Sequence, residues 1–290
     1  MIFEYIKAVI YGIIEGITEW LPISSTGHLI LFERLLRFNI PSLDARLSEQ
    51  FLAMFDVVIQ LGAVLAVVCV YFSEINPFKK DKTQKNKNLI LWIKLIIATV
   101  PAALMGLIAD KLCNIYLGKD LETLIFTPQT VASALIIYGI LFILVEKISK
   151  NSFTSNIELE QISAKKAFTI GCFQALAIIP GTSRSGATIL GARILGVPRD
   201  TAAKFSFFAA IPVISAASVL KIFDFIKITN THSASLCADA FLILIVAGSV
   251  AFFTSLLVIK FLTDFVKRHS FICFGIYRII LGVLVLAFIK

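Results

Sequence analysis

Six long apolar stretches dominate this 290-residue sequence, and they constrain its fold more than any other feature. Each is close to the roughly 20 residues that an α-helix needs to cross the hydrocarbon core of a bilayer. The stretches cover residues 51–72, 89–109, 128–146, 204–221, 239–260 and 271–289. Because 58% of the residues are hydrophobic and only 16% are charged, the composition excludes an ordinary soluble domain. We therefore expect an all-α, polytopic membrane protein with six full crossings.

Two further apolar segments, residues 2–36 and 165–196, are interrupted near the middle by polar motifs. The motifs are Pro22-Ile23-Ser24-Ser25-Thr26-Gly27 and Pro180-Gly181-Thr182-Ser183-Arg184-Ser185-Gly186. Each half of a segment is too short to cross a bilayer as a helix. Because irregular backbone at membrane depth occurs only where protein or water satisfies its polar groups, we predict two re-entrant helical hairpins with polar tips.

The two broken segments are similar to each other. A shift of 159 residues places Ser24 on Ser183 and Gly27 on Gly186. Each copy, residues 1–150 and residues 151–290, would then contain one re-entrant hairpin and three crossings. Because three is an odd number, the second copy must enter the membrane upside down relative to the first. The sequence thus predicts an inverted-topology repeat whose two tips meet near the midplane.

The basic residues predict the orientation. Lys and Arg number 27 against 19 Asp and Glu, a formal net charge of +8. In a membrane protein we interpret this excess as topology rather than nucleic-acid binding, because cytoplasmic loops are enriched in Lys and Arg. One alternating set of segments, residues 73–89, 147–166, 191–204 and 260–269, holds 15 Lys and Arg, and the other set holds 8. We therefore assign the richer set to the cytoplasm, so that the first hairpin enters from the external side.

Two carboxylates lie in the first broken segment. Glu15 and Glu19 are four residues apart, so on a helix they share one face, about 6 Å apart along the axis. Charges inside a membrane segment are unfavourable unless a cation or an aqueous cavity compensates them, and the pair therefore predicts a divalent-metal site. The alternative is that both carboxylates lie near the interface and face water.

The first tip also carries a serine and a histidine. Ser25 and His28 are three residues apart across the break. A histidine at this spacing could accept a proton from the serine hydroxyl, as an activated nucleophile requires. The same spacing also fits a histidine that only satisfies its own hydrogen bonds.

The second tip combines glycines with Ser183, Arg184, Ser185 and Thr188. Backbone amides, hydroxyls and a guanidinium at a helix N-terminus are donors suited to phosphate oxygens. The alternative is a structural Arg184 that satisfies the carboxylates or the carbonyls of the opposite tip. Carboxylates on one tip and these donors on the other are what metal-assisted phosphoryl transfer requires.

The motifs of both tips resemble those of the bacitracin-resistance undecaprenyl-diphosphate phosphatases of bacterial inner membranes. The similar segments are Glu15-Gly-Ile-Thr-Glu19, Leu21-Pro-Ile-Ser24-Ser25-Thr-Gly-His28, Phe55-Asp56-Val-Val-Ile-Gln60-Leu-Gly62, Pro180-Gly-Thr-Ser183-Arg184-Ser185-Gly-Ala-Thr188 and Tyr277-Arg278. They extend over essentially the whole chain. Asp56 departs from the family pattern, which usually has a glutamate there, so the charge is kept and the reach is shorter.

The resemblance implies an enzyme that removes the terminal phosphate of undecaprenyl diphosphate with a divalent cation, Mg²⁺ or Ca²⁺, and so recycles the lipid carrier of peptidoglycan precursors. It implies catalytic roles for Glu19, Ser25, His28 and Arg184, and metal binding by Glu15 and Glu19. The substrate contacts that it implies come from Glu15, Ser24, Ser183, Arg184, Ser185 and Thr188. It leaves open whether Ser25 or a metal-activated water attacks, and whether the chain forms a homodimer.

An inverted repeat with broken helices also describes secondary transporters and lipid translocases. We favour the enzyme, because the two tips carry a fuller set of phosphoryl-transfer groups than ion coupling needs. The expected location is the bacterial inner membrane, with the active site on the external side.

Overall fold

A computed structural model describes residues 1–36, 38–40, 45–118, 121–149, 157–231 and 238–288. These residues form thirteen α-helices and two short 3₁₀ turns, and the described ranges contain no β-strand. The helices are α1 (Ile2–Thr18), α2 (Ser25–Leu36), α3 (Ala45–Val58), α4 (Gln60–Val70), α5 (Phe72–Ile75), α6 (Lys82–Leu117), α7 (Leu121–Ile125), α8 (Pro128–Ser149), α9 (Ala164–Ala175), α10 (Arg184–Ile194), α11 (Arg199–Thr231), α12 (Ala238–Arg268) and α13 (Ile272–Phe288). The prediction of an all-α chain is confirmed.

Five helical stretches of the described chain are long and apolar enough to cross a membrane. They are Leu47–Val70, which joins α3 to α4, and the long helices α6, α8, α11 and α12. The sixth predicted crossing corresponds to α13, which is apolar but only 17 residues long, and it stays a prediction. The chain is therefore a polytopic membrane protein.

The crossings are longer than the apolar stretches that predicted them, as α6 illustrates. Its predicted core is residues 89–109, whereas the helix has 36 residues. The Asp81 carboxylate caps its N-terminus by accepting a hydrogen bond of 3.0 Å from the Thr83 amide. Its C-terminus ends at Gly118, whose φ of 62° terminates the helix in a left-handed conformation that glycine adopts readily. Hydropathy marks only the part of a helix that meets lipid, so the polar ends are missed.

Apolar side chains cover the outside of the long helices. Phe253, Leu257 and Phe261 follow one face of α12 at helical spacing and are 65%, 74% and 60% exposed. In water such a stripe would be unfavourable, and in a bilayer it faces acyl chains. Only 22% of the most apolar 18-residue stretch of α6 is buried, which makes this helix largely peripheral.

Both predicted interruptions are present in the structure. The first break separates α1 from α2, and the second separates α9 from α10. Ser24 and Ser183, the residues aligned by the 159-residue shift, have φ values of 72° and 69° and are the only non-glycine residues with positive φ in the described ranges. Each hydroxyl accepts a hydrogen bond from the amide three residues later, at 3.4 Å from Gly27 and 3.1 Å from Gly186. The two tips thus share one unusual turn.

Close helix contacts occur in matching pairs. Helix α1 packs on α12, and α9, which corresponds to α1 under the shift, packs on α6. The equivalent glycines Gly12 and Gly171 lie against the backbone of Ala247 and Ala98. Helices α8 and α13 pack on each other through Gly139 and Gly275, where a Cβ on either glycine would come within 2.7 Å of the other's carbonyl oxygen. Small residues therefore permit the closest backbone approaches, as is common between membrane helices.

The four basic segments converge at one end of the molecule. The Lys204 Nζ lies 2.8 Å from a Glu74 oxygen, and the Lys87 Nζ lies 2.9 Å from a Glu160 oxygen. A cavity of about 310 Å³ is lined by residues of all four segments. Glu146, which directly precedes the basic segment 147–166, is buried and pairs with Arg193 and Arg199. These ion pairs tie the ends of α8, α10 and α11 together.

Candidate active site

The carboxylates of the first broken segment lie at the end of α1. Glu15 is fully buried, and neither of its carboxylate oxygens has a hydrogen-bond partner among the described residues. Its charged neighbours are Glu19, Asp56 and Arg184. Glu19 follows the last residue of α1 and continues the helical hydrogen bonding through its amide, which donates to the Glu15 carbonyl at 3.0 Å. The alternative of two carboxylates in open water does not describe this structure, because Glu19 is also buried.

Arg184 connects the second tip to these carboxylates. It is the first residue of α10, and its Nη2 donates to Glu19 Oε1 at 2.7 Å. Its Nη1 donates to the Ser206 carbonyl at 2.6 Å and lies 3.2 Å from the Ser206 hydroxyl. The guanidinium carbon is 5.8 Å from the centroid of the Trp20 ring, within cation–π range. The Arg184 Nε is buried with no partner in the described chain, so one donor remains available.

The hydroxyls beside Arg184 are partly engaged within the protein. The Ser183 and Ser185 hydroxyls lie 3.1 Å apart, and Ser185 also donates to the Leu21 carbonyl at 3.3 Å. Thr188 donates to the carbonyl of Arg184 at 2.7 Å. Ser185 and Thr188 are buried, whereas Ser183 and Arg184 are partly accessible. The predicted anion cradle is therefore most open at Ser183 and Arg184.

The serine and histidine of the first tip are not hydrogen-bonded to each other in the described structure. His28 Nδ1 lies 2.7 Å from the Ser24 carbonyl, and its Nε2 lies 2.6 Å from the Tyr277 hydroxyl. Ser25 is half-buried, and its hydroxyl makes no hydrogen bond in the part of the chain that the structure describes. The roles of Ser25 and His28 stay predictions.

Arg278 holds the two breaks together, a role that the sequence did not indicate. This fully buried residue of α13 donates to the Pro22 carbonyl at 3.1 Å in the first break. It donates at 2.8 Å to each of the carbonyls of Gly181 and Thr182 in the second. Three backbone carbonyls at the breaks are thus satisfied by protein, as the predicted position of the breaks inside a membrane would require. An isolated arginine in an apolar helix is itself a signal of function.

Ser206 and Tyr277 complete the contacts to the predicted residues. Ser206 binds Arg184 from α11, and Tyr277 binds His28 from α13. Nothing in the local sequence marks Ser206, and Tyr277 was recognised only as part of the Tyr277-Arg278 segment, with no role assigned to it. Asp56 was recognised as part of a motif, and the structure brings it into the electrostatic neighbourhood of Glu15.

Comparison with known proteins gives the family. The family model of bacitracin resistance protein BacA matches residues 8–284, nearly the whole chain. The chain belongs to the BacA family. Among similar proteins, one from Enterococcus faecalis is 46% identical over 97% of this chain and 96% of its own length. One from Streptococcus mutans is 48% identical over 99% and 96%, and one from Streptococcus pyogenes serotype M3 is 47% identical over 99% and 97%. All three are named Undecaprenyl-diphosphatase, and the BacA resemblance drawn from the tip motifs is confirmed.

Proposed function

We propose that this BacA-family protein is an undecaprenyl-diphosphatase, which hydrolyses undecaprenyl diphosphate to undecaprenyl phosphate and inorganic phosphate. The relatives that carry this name cover nearly the full chain. The observation that supports it most directly is the contact of Arg184 with Glu19. This contact places a guanidinium, a group suited to phosphate binding, from the second break beside the carboxylate pair of the first. Recycling of the lipid carrier would sustain peptidoglycan synthesis and resistance to bacitracin.

The reaction breaks the anhydride bond between the terminal phosphorus and the bridging oxygen. The new bond joins that phosphorus to the nucleophile oxygen, and the prenyl monophosphate leaves. Arg184 and Ser183, the accessible donors of the second tip, bind the oxygens of the terminal phosphate and neutralise charge that develops on them. Ser24, Ser185 and Thr188 shape the two tips around this group through the hydrogen bonds described above.

A divalent cation fits the carboxylates of the first tip. Among the described residues no three His, Cys, Asp or Glu side chains come together closely enough to hold a metal alone. Mg²⁺, however, is commonly bound by one or two carboxylates together with substrate phosphates and water. Glu15 and Glu19 would hold it, and the two buried oxygens of Glu15 without hydrogen-bond partners are suited to that role. Such a cation supplies charge neutralisation at the phosphate oxygens.

Ser25 is the nucleophile that we favour, with a water molecule as the alternative. Its hydroxyl is half-buried at the start of α2 and free of hydrogen bonds within the described ranges. Attack by Ser25 would form a phosphoserine, which water then hydrolyses to release phosphate. Attack by water would release phosphate in a single step.

We propose the inverted-topology repeat, with halves at residues 1–150 and 151–290, as the architecture of this site. The matching turns at Ser24 and Ser183 support it. So do the reciprocal approach of Gly139 and Gly275 and the equivalent surroundings of Gly12 and Gly171. The convergence of the four basic segments supports a cytoplasmic location for that end, with the first hairpin entering from the external face of a bacterial inner membrane.

Phosphate release from undecaprenyl diphosphate by the purified protein tests the proposal. We expect metal-dependent release that a chelator abolishes and added Mg²⁺ or Ca²⁺ restores. A preparation that binds the lipid without releasing phosphate under either cation would contradict the assignment and favour a lipid carrier.

A further inference from the structure

His28 is held at both ring nitrogens by groups outside the reacting pair. Nδ1 faces the backbone carbonyl of Ser24 at 2.7 Å, and Nε2 faces the hydroxyl of Tyr277 at 2.6 Å. The imidazole and phenol rings are nearly parallel, with an interplanar angle of 11° and centroids 5.6 Å apart. The ring of His28 is therefore fixed in orientation by two short hydrogen bonds and one stacked ring.

The partners determine which nitrogen carries the proton. A carbonyl oxygen only accepts, so Nδ1 must carry the hydrogen and donate it to Ser24. In a neutral imidazole the lone pair then lies on Nε2, which accepts from the Tyr277 hydroxyl. Neither nitrogen offers a free lone pair to Ser25 in this arrangement.

The carbonyl bound by His28 belongs to an unusual turn. Ser24 has a φ of 72°, a left-handed conformation that is unfavourable for a residue with a Cβ and needs support from its surroundings. The Ser24 hydroxyl contributes one bond, to the Gly27 amide at 3.4 Å. The short bond from Nδ1 to the Ser24 carbonyl supplies the second. Ser25 follows directly, so the turn sets the position of its hydroxyl.

We propose that Tyr277 is a positioning residue of the phosphatase site and acts through His28. Its hydroxyl donates to Nε2, keeps the proton on Nδ1, and so maintains the hydrogen bond that stabilises the Ser24 turn in front of Ser25. The kinetic test of this inference rests on the proposed phosphatase function, whereas its spectroscopic test does not. This role of His28 differs from that of a general base, because the histidine donates a hydrogen bond to the backbone of the first tip and does not accept a proton from Ser25.

The kinetic test is a double-mutant cycle of Tyr277→Phe and His28→Ala. Tyr277→Phe keeps the stacked ring and removes one hydroxyl, so we expect kcat to fall about threefold to tenfold, as for one hydrogen bond, with KM within about twofold. In the His28→Ala background, Tyr277→Phe should have no further effect. The same fold loss in both backgrounds, or wild-type kcat for Tyr277→Phe alone, would overturn the proposal.

Tyr71→Phe is the matched control. The Tyr71 hydroxyl makes a comparable bond of 2.8 Å to Thr263, outside both breaks. We expect this variant to retain kcat within about twofold, so that a loss in Tyr277→Phe reflects its place beside His28.

A spectroscopic measurement decides the proposal independently of activity. In the protein labelled with ¹⁵N-histidine, we expect His28, assigned by its absence in His28→Ala, to show the Nδ1-protonated tautomer. In Tyr277→Phe this signature should weaken as the two tautomers exchange. An unchanged His28 spectrum would refute the proposal even where phosphate release is intact, and a failure of phosphate release would leave the spectrum to decide it.

Discussion

Arg184 Nη2 lies 2.7 Å from Glu19 Oε1, so the first residue of one helix after a break neutralises a carboxylate just before the other break. Both side chains are largely buried, where water screens charge weakly. A phosphate group that binds at Nη2 competes with Glu19 for that nitrogen, whereas the unpartnered Nε can bind phosphate without displacing Glu19. In the proposed site, phosphate binding at Nη2 and release of the Glu19 carboxylate are therefore coupled.

Arg184→Lys should lose most activity although it keeps the positive charge. A lysine ammonium cannot bind Glu19, Ser206 and a phosphate in the planar arrangement of the guanidinium. We expect kcat to fall roughly 100-fold, the usual effect of removing one donor to a developing charge, measured as phosphate release by purified protein. Turnover at the wild-type rate would refute the anion cradle.

Arg199→Lys provides the comparison for that substitution. Arg199 also pairs with a buried carboxylate, that of Glu146, but contacts neither tip in the described structure. We expect the kcat of Arg199→Lys to stay within a few-fold of wild type. A similar loss of kcat in Arg199→Lys and Arg184→Lys would instead reflect a general effect of losing a guanidinium.

Glu15→Gln and Glu19→Gln should both raise the concentration of cation needed for half-maximal activity, because each removes a charge from the proposed cation site. Their effects on stability should differ. Glu19→Gln leaves the charge of Arg184 less compensated, and losing one partner of a buried pair lowers the free energy of unfolding by up to about 3–5 kcal/mol. Glu15→Gln removes a buried charge without hydrogen-bond partners, so thermal unfolding without metal should not move to lower temperature.

Glu4→Gln is the matched control for the carboxylates. Glu4 is a buried glutamate on the same helix and pairs with Lys7 at 3.0 Å. The cation dependence of this variant should equal that of wild type. Wild-type cation dependence in Glu15→Gln and Glu19→Gln as well would show that the pair is not a metal site.

The parts of the site that the sequence predicted are those with a local signal. Breaks in apolar segments marked both tips, and the unfavourable burial of Glu19 and Arg184 indicated that each needs a partner of opposite charge. The contacts that hold these side chains in place carry no such signal, although Tyr277 itself lies in one of the segments that resemble the family. Ser206 meets Arg184 from 22 residues away, and Tyr277 meets His28 from 249 residues away, through contacts that only tertiary packing creates. Arg278 is the intermediate case, because an arginine in an apolar helix is conspicuous while its three carbonyl acceptors are not.

The orientation predicts opposite accessibility for the two ends of α6. Lys82 and Lys111 are both exposed and lie on this one helix, about 43 Å apart at 1.5 Å per residue, more than the roughly 30 Å of the hydrocarbon core. In a background without the five native cysteines, Lys111→Cys should react with a membrane-impermeant thiol reagent added to intact spheroplasts. Lys82→Cys should react only after the membrane is permeabilised. The reverse pattern would place the active site on the cytoplasmic side.

Ser25→Ala separates the two nucleophiles. If Ser25 attacks, phosphate passes through a phosphoserine, and rapid-quench mass spectrometry during turnover should detect a phosphorylated peptide containing the first tip. The substitution should then lower kcat by orders of magnitude while substrate still binds, because Arg184 and Ser183 are unchanged. Ser218→Ala, which removes a hydroxyl bound to the Val57 carbonyl at 3.2 Å, should retain activity. A Ser25→Ala variant with about a tenth or more of the wild-type kcat, and no phosphopeptide in wild type, would assign the attack to water and leave Ser25 as a positioning group.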